Sequence, residues 1–163
     1  MIKNGNYTLR QIHRMKNLQA SKLFLLSSVL LFWMKGQAQK PVNWTEKQLI
    51  EPSELANTTT NKKDIPVIIS VGPSATIPTT INIGMVNTPE GLEKLRTQLK
   101  GMDKDKKIVI YCGCCPYEHC PNVRPAIDAL KEMKFTNYYL LDLPHNIKKD
   151  WIDKGYPTDK RSQ

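Results

Sequence analysis

Two short β-branched runs constrain this chain more than any other feature. Ile65-Pro-Val-Ile-Ile-Ser-Val71 and Lys107-Ile-Val-Ile-Tyr111 are almost continuously apolar. A strand with one wet face alternates apolar and polar residues. One that is apolar throughout needs cover on both faces, as in a parallel sheet flanked by helices. The intervening segments supply such helices. Thr88 to Leu99 predicts one, with Thr88 as cap, Pro89 at the first position, and Leu92, Leu95 and Leu99 at helical spacing. Val123, Ala126, Ile127, Leu130 and Met133 line one face of another, with Asn122 as its cap and Pro125 in its first turn. A short helix capped by Ser53 follows Pro52, Gly72-Pro-Ser-Ala breaks the first strand, and Ile81 to Ile83 reads as a weaker strand. Tyr138-Tyr-Leu-Leu141 is a further strand, and 147–154 a last helix ended by Gly155. This alternation predicts a single α/β domain around a mainly parallel sheet, with no internal repeat.

The 163 residues carry a formal charge of +9, but its distribution argues against a nucleic-acid surface. Residues 1–38 hold six bases (Lys3, Arg10, Arg14, Lys16, Lys22, Lys35) and no acid, which leaves 18 bases against 15 acids in the remainder. Those 38 residues read as a signal peptide. Basic residues precede the apolar stretch Leu23 to Met34, and small residues follow at Gly36 and Ala38. The stretch falls short of the roughly 20 apolar residues that a membrane-spanning helix needs. Cleavage after Ala38 would release a domain over 39–163, periplasmic or secreted, with no stable membrane insertion; Met15 is an alternative start to Met1. Gln39 to Thr45 reads as a polar lead-in.

All four cysteines lie in one segment, Tyr111-Cys-Gly-Cys-Cys-Pro-Tyr-Glu-His-Cys-Pro-Asn-Val-Arg-Pro-Ala126. Open α/β sheets bind ligands beyond the carboxyl ends of their strands, and this loop leaves such an end and enters a helix N-terminus. The free N–H groups and dipole there favour an anion, so a cysteine at that point is expected to hold its thiolate more readily. Exchange of sulfur between thiolate-like partners needs little general acid or base.

These residues carry a resemblance. Ile108-Val-Ile-Tyr-Cys112, the loop and helix after it, and the Trp151…Gly155-Tyr-Pro157 ending resemble a single-domain rhodanese over roughly residues 45 to 157. The longer Cys-Gly-Cys-Cys-Pro…Cys-Pro-Asn-Val-Arg-Pro-Ala form is similar to an exported bacterial subgroup. The resemblance implies a rhodanese-like parallel sheet and sulfurtransferase chemistry with no cofactor, taking sulfur from a small donor such as thiosulfate or a persulfide and passing it to a thiol acceptor. The persulfide would form on Cys112, with Cys120 as the alternative carrier. The loop from Gly113 through Cys114 and Cys115 would cradle the terminal sulfur, and Arg124 would attract the anionic donor. The chain departs from the family's pattern in a longer loop, in Ser70-Val-Gly72 where an Asp-x-Arg is usual, in Thr76 for a usual His, and in Leu143-Pro144 for a usual glycine pair.

Other readings of the cluster stay open. Four cysteines in an exported protein can form two structural disulfides, although bridges within one short loop restrict little of the unfolded chain. Cys112-Gly-Cys-Cys115 has Cys-x-x-Cys spacing, so Cys115 or Cys120 can act as a resolving thiol. Three or four thiolates with His119 suit zinc or copper(I), which would make a metal-carrying module. An inactive rhodanese-fold binding domain is a further possibility. His119 and His145 otherwise read as surface residues, and Trp151, Tyr138 and Tyr139 as core or interface residues.

Overall fold

The computed structural model describes residues 42–159. The signal-peptide reading over 1–38, its cleavage point and the choice of start lie outside the described residues. Five strands form one all-parallel sheet: β1 (Leu49–Ile50), β2 (Val67–Ser70), β3 (Ile81–Asn82), β4 (Ile108–Tyr111) and β5 (Tyr138–Leu141). Their spatial order is β1-β5-β4-β2-β3, so the most apolar run, β4, takes the centre, and every residue of it is buried.

Three α-helices supply the crossovers: α1 (Pro52–Asn61), α2 (Pro89–Leu99) and α3 (Val123–Glu132). On one face, Leu95 and Leu99 of α2 and Val123, Ala126, Ile127 and Leu130 of α3 pack over Ile69, Ile108, Ile110 and Leu140. On the other, Leu55 and Ala56 of α1 and Trp151 pack over Ile68, Val109, Tyr111 and Leu141. Successive residues of each strand thus point to opposite cores, which is why the runs are apolar without alternation.

The helix starts differ in chemistry. Thr88 caps α2 as its sequence predicts, its hydroxyl accepting from the Gly91 N–H at 3.1 Å. Helix α1 begins at Pro52, earlier than a cap at Ser53 would set it, because proline's missing N–H and fixed φ suit the first helical position. The last helix is shorter than expected, a single π-type turn over Lys148–Ile152, with Gly155 leaving it at φ 73°. Trp151 on that turn is fully buried and donates from Nε1 to the Pro157 carbonyl at 2.8 Å.

Two features were not legible as structure in the sequence. Strand β1 is only two residues long, and it lies in register with β5 (Leu49 with Leu140, Ile50 with Leu141). The segment read as a polar lead-in carries Trp44, which is buried against the α3 face. Tyr111, fully buried at the end of β4, accepts hydrogen bonds from the Thr76 N–H at 2.9 Å and the Ile77 N–H at 3.3 Å. It thereby fixes the connection from β2 to β3, and Thr76 contributes its backbone there.

Candidate functional site

The sheet order creates a switch point between β2 and β4. From β2 the chain passes outward to β3, whereas from β4 it passes the other way to β5. Connections that diverge in this manner open a crevice at the carboxyl ends of the two strands. Gly72 and Cys112 stand on its two sides, held level by the Val71 N–H, which donates to the Tyr111 carbonyl at 2.9 Å. A Cβ on Gly72 would lie 2.7 Å from Cys112 Sγ. Any larger residue at 72 would therefore press on the Cys112 side chain.

The loop then folds the other cysteines back over the first. Cys112 Sγ lies 3.2 Å from Cys114 Sγ, which in turn lies 3.4 Å from Cys115 Sγ. With Cys120, all four sulfurs fall within 4.8 Å of one another, and all four are free thiols. Burial divides them: Cys112 is 2% exposed and Cys120 fully buried, Cys115 is half-buried, and Cys114 faces solvent. Cys114, which the resemblance places in the cradle, thus touches Cys112 directly, and Cys115 and Cys120, the candidate resolving residues, complete the cluster. His119 sits exposed on the 3-10 turn Tyr117–His119 and is not among the grouped ligands.

Asn122 departs from expectation in an informative way. It occupies the cap position of α3, but its side chain does not cap the helix. It is fully buried and turned into the cluster, with Nδ2 3.6 Å from Cys112 Sγ and 4.0 Å from Cys120 Sγ. Its Oδ1 accepts from the Asn87 N–H at 3.0 Å, which fixes the amide with its donor toward sulfur. A buried amide must satisfy both ends, and here the backbone of the α2 approach satisfies one and the thiols the other.

The Cys114 backbone N–H acts to lower the Cys112 thiol, against a larger upward push from its other neighbours. Gly113 serves close packing: its carbonyl accepts from the Ile147 N–H at 3.0 Å, and a Cβ there would meet the Ile147 side chain at 2.8 Å. Arg124 donates from Nη1 to the Glu118 carbonyl at 3.1 Å and lies over the Trp44 ring, 5.5 Å from its centroid. It ties the first turn of α3 to the 3-10 turn.

The surroundings of the cluster work against the thiolate that its place at a helix start favours. The thiol of Cys120 and burial push the Cys112 thiol well above the ordinary range, and the Cys114 N–H and thiol offset only part of this. Burial, with the neighbouring Cys114, pushes Cys115 up to about 11. Burial also raises Cys114. The reason is mutual proximity: four thiols in one low-dielectric cluster cannot all ionise without a compensating cation. A cavity of about 520 Å³ adjoins the loop, lined by Trp44, Tyr117 and four carboxylates (Glu46, Glu51, Glu118 and Asp142). Burial and Glu51 raise the Asp142 carboxyl.

No family model matches the chain, and no curated protein matches it. Among solved structures it is similar to SseA from Escherichia coli, a 3-mercaptopyruvate sulfotransferase with the rhodanese fold, at 18% identity and a TM-score of 0.44. The likeness covers 62% of this chain and 42% of that one, so this chain spans less than half the length of SseA. The α/β class rests on the strand register of this chain itself, an all-parallel sheet between two helical layers.

Proposed function

We propose that the domain is a rhodanese-like sulfurtransferase that carries a sulfane sulfur as a persulfide on Cys112. The observation that carries this reading is the seat of Cys112 Sγ at the sheet's switch point, against Gly72 and within reach of the Asn122 amide. In the first step Cys112 loses its proton to solvent and its sulfur attacks the outer sulfur of the donor. A new S–S bond forms as the donor's own S–S bond breaks, and the remainder of the donor leaves with the electron pair. In the second step an acceptor thiolate takes the terminal sulfur and Cys112 departs as thiolate. The Asn122 amide stabilises the negative sulfur in both steps.

The carboxylates lining the cavity beside the loop oppose the dianion thiosulfate more than a singly charged low-molecular-weight persulfide. Exposed Cys114, next to buried Cys112, is the first thiol that an incoming donor meets. The leader pattern supports action outside the cytoplasm. Among the described residues, no helix is long and apolar enough to cross a membrane.

The test is intact mass after incubation of the reduced protein with thiosulfate and, separately, with a small-molecule persulfide. One added sulfur that disappears in Cys112→Ser supports the assignment. Added sulfur that survives in Cys112→Ser and is lost in Cys120→Ser transfers the role to Cys120. No added sulfur from either donor overturns the reading.

A further inference from the structure

The cluster has more sulfur than sulfur transfer requires. One thiol carries a persulfide and a second can resolve it, yet four sulfurs from Cys112, Cys114, Cys115 and Cys120 converge within 4.8 Å. Apolar packing does not ask for this arrangement, since Cys114 is exposed and gains little from burial. The spacing has a geometric meaning. Zinc–thiolate bonds of about 2.3 Å in a tetrahedron place their sulfurs roughly 3.8 Å apart. The contacts at 3.2 and 3.4 Å and the outer limit of 4.8 Å bracket that value, so small side-chain rotations suffice to seat an ion.

We infer that these four cysteines form a binding site for one soft, thiophilic divalent ion of the zinc class, held in an all-thiolate tetrahedron. Each S–H proton passes to solvent as its metal–sulfur bond forms, so one ion entering releases four protons and leaves a site of net charge −2. The Asn122 amide meets part of that charge. Asn122 Nδ2 points at Cys112 and Cys120, the kind of N–H···S donor that steadies metal thiolates. Asn122 is itself locked by the Asn87 N–H. Four protein ligands leave no open position, so the site is closed to hydrolytic chemistry. Exposed Cys114 is the face through which the ion exchanges. A loaded site withholds Cys112 from a sulfur donor, yet the metal site does not depend on sulfur transfer taking place.

The experiment is a titration of the reduced full-length protein with cobalt(II) under anaerobic conditions, followed by displacement with zinc. The expected result is saturation at one equivalent, with thiolate-to-cobalt charge-transfer absorption and tetrahedral ligand-field bands, and protection of all four thiols from alkylation after zinc is added. Cys114→Ser and Cys115→Ser, checked for folding by circular dichroism, should each weaken binding more than about 100-fold, and Asn122→Ala about 10-fold. Absence of the tetrahedral cobalt spectrum, binding unchanged in both serine variants, or uptake of cuprous ion alone would each overturn the assignment. No sulfur donor is present, so failure here leaves the persulfide test untouched, and a negative persulfide test leaves this one standing.

Discussion

The contact between Gly72 and Cys112 gives the sharpest test of how the site is built. In Gly72→Ala the new methyl carbon would lie 2.7 Å from Cys112 Sγ, 3.4 Å from its Cα and 3.5 Å from the Gly113 nitrogen. Comfortable nonbonded contact needs about 3.5–4.0 Å, so the sulfur must retreat by roughly 1 Å or the end of β2 must move. Both strand ends are held by ladder hydrogen bonds, which leaves the Cys112 side chain as the softer partner. Overpacking of this size costs about 1–3 kcal/mol, or roughly 4–12 °C in Tm for a domain of this length. Displacing a reacting atom by about 1 Å costs on the order of 100-fold in rate. The sulfur also moves relative to the Asn122 amide. Calorimetry gives the first number, and sulfur transfer to cyanide, followed as thiocyanate, gives the second. A Gly72→Ala protein with both Tm and transfer rate at wild-type values would refute the placement of Cys112 Sγ in the switch-point crevice.

Three further outcomes follow from other contacts. Asn122→Asp keeps the acceptor for the Asn87 N–H but turns a carboxylate toward the sulfurs, so sulfur transfer should fall about 100-fold; an unchanged rate would show that the amide donor plays no part. Trp151→Ala empties a fully buried site and removes the bond to the Pro157 carbonyl, and chemical denaturation should report a loss of about 3–5 kcal/mol, against under about 1 kcal/mol if the π-type turn is only loosely docked. Burial tends to raise the Asp150 carboxyl, but the backbone N–H and ring of His145 and the Asn146 N–H outweigh it and hold it below the usual carboxylate range. A depressed carboxylate stabilises the fold above its unfolded pKa, and that contribution is lost as the pH falls through the folded value. Asp150→Asn should therefore cost about 1–2 kcal/mol at neutral pH, with the two proteins converging in acid; a difference that stays constant with pH would rule out the linkage.

The central strands were legible because the requirement for cover on both faces is written into every residue of β2 and β4. Helix α2 was legible because Thr88 and Pro89 fix its start within the local chain. Strand β1 was not, since two residues form a strand only when a neighbouring edge offers hydrogen bonds, and that edge, β5, lies some ninety positions away in sequence. Asn122 reads locally as a cap, but the Asn87 N–H takes the Oδ1 that a cap would use and leaves Nδ2 turned toward the thiols.

The cysteine loop divides along the same line. Its sequence alone determines that four sulfurs leave a central strand together and precede a helix, because chain order permits nothing else. Which sulfurs touch, which are buried, and the upward push on the thiols of Cys112, Cys114 and Cys115 are decided by the tertiary structure. Gly72 and Asn122 arrive from the end of β2 and the start of α3, and the pKa of a thiol depends on what surrounds it in space.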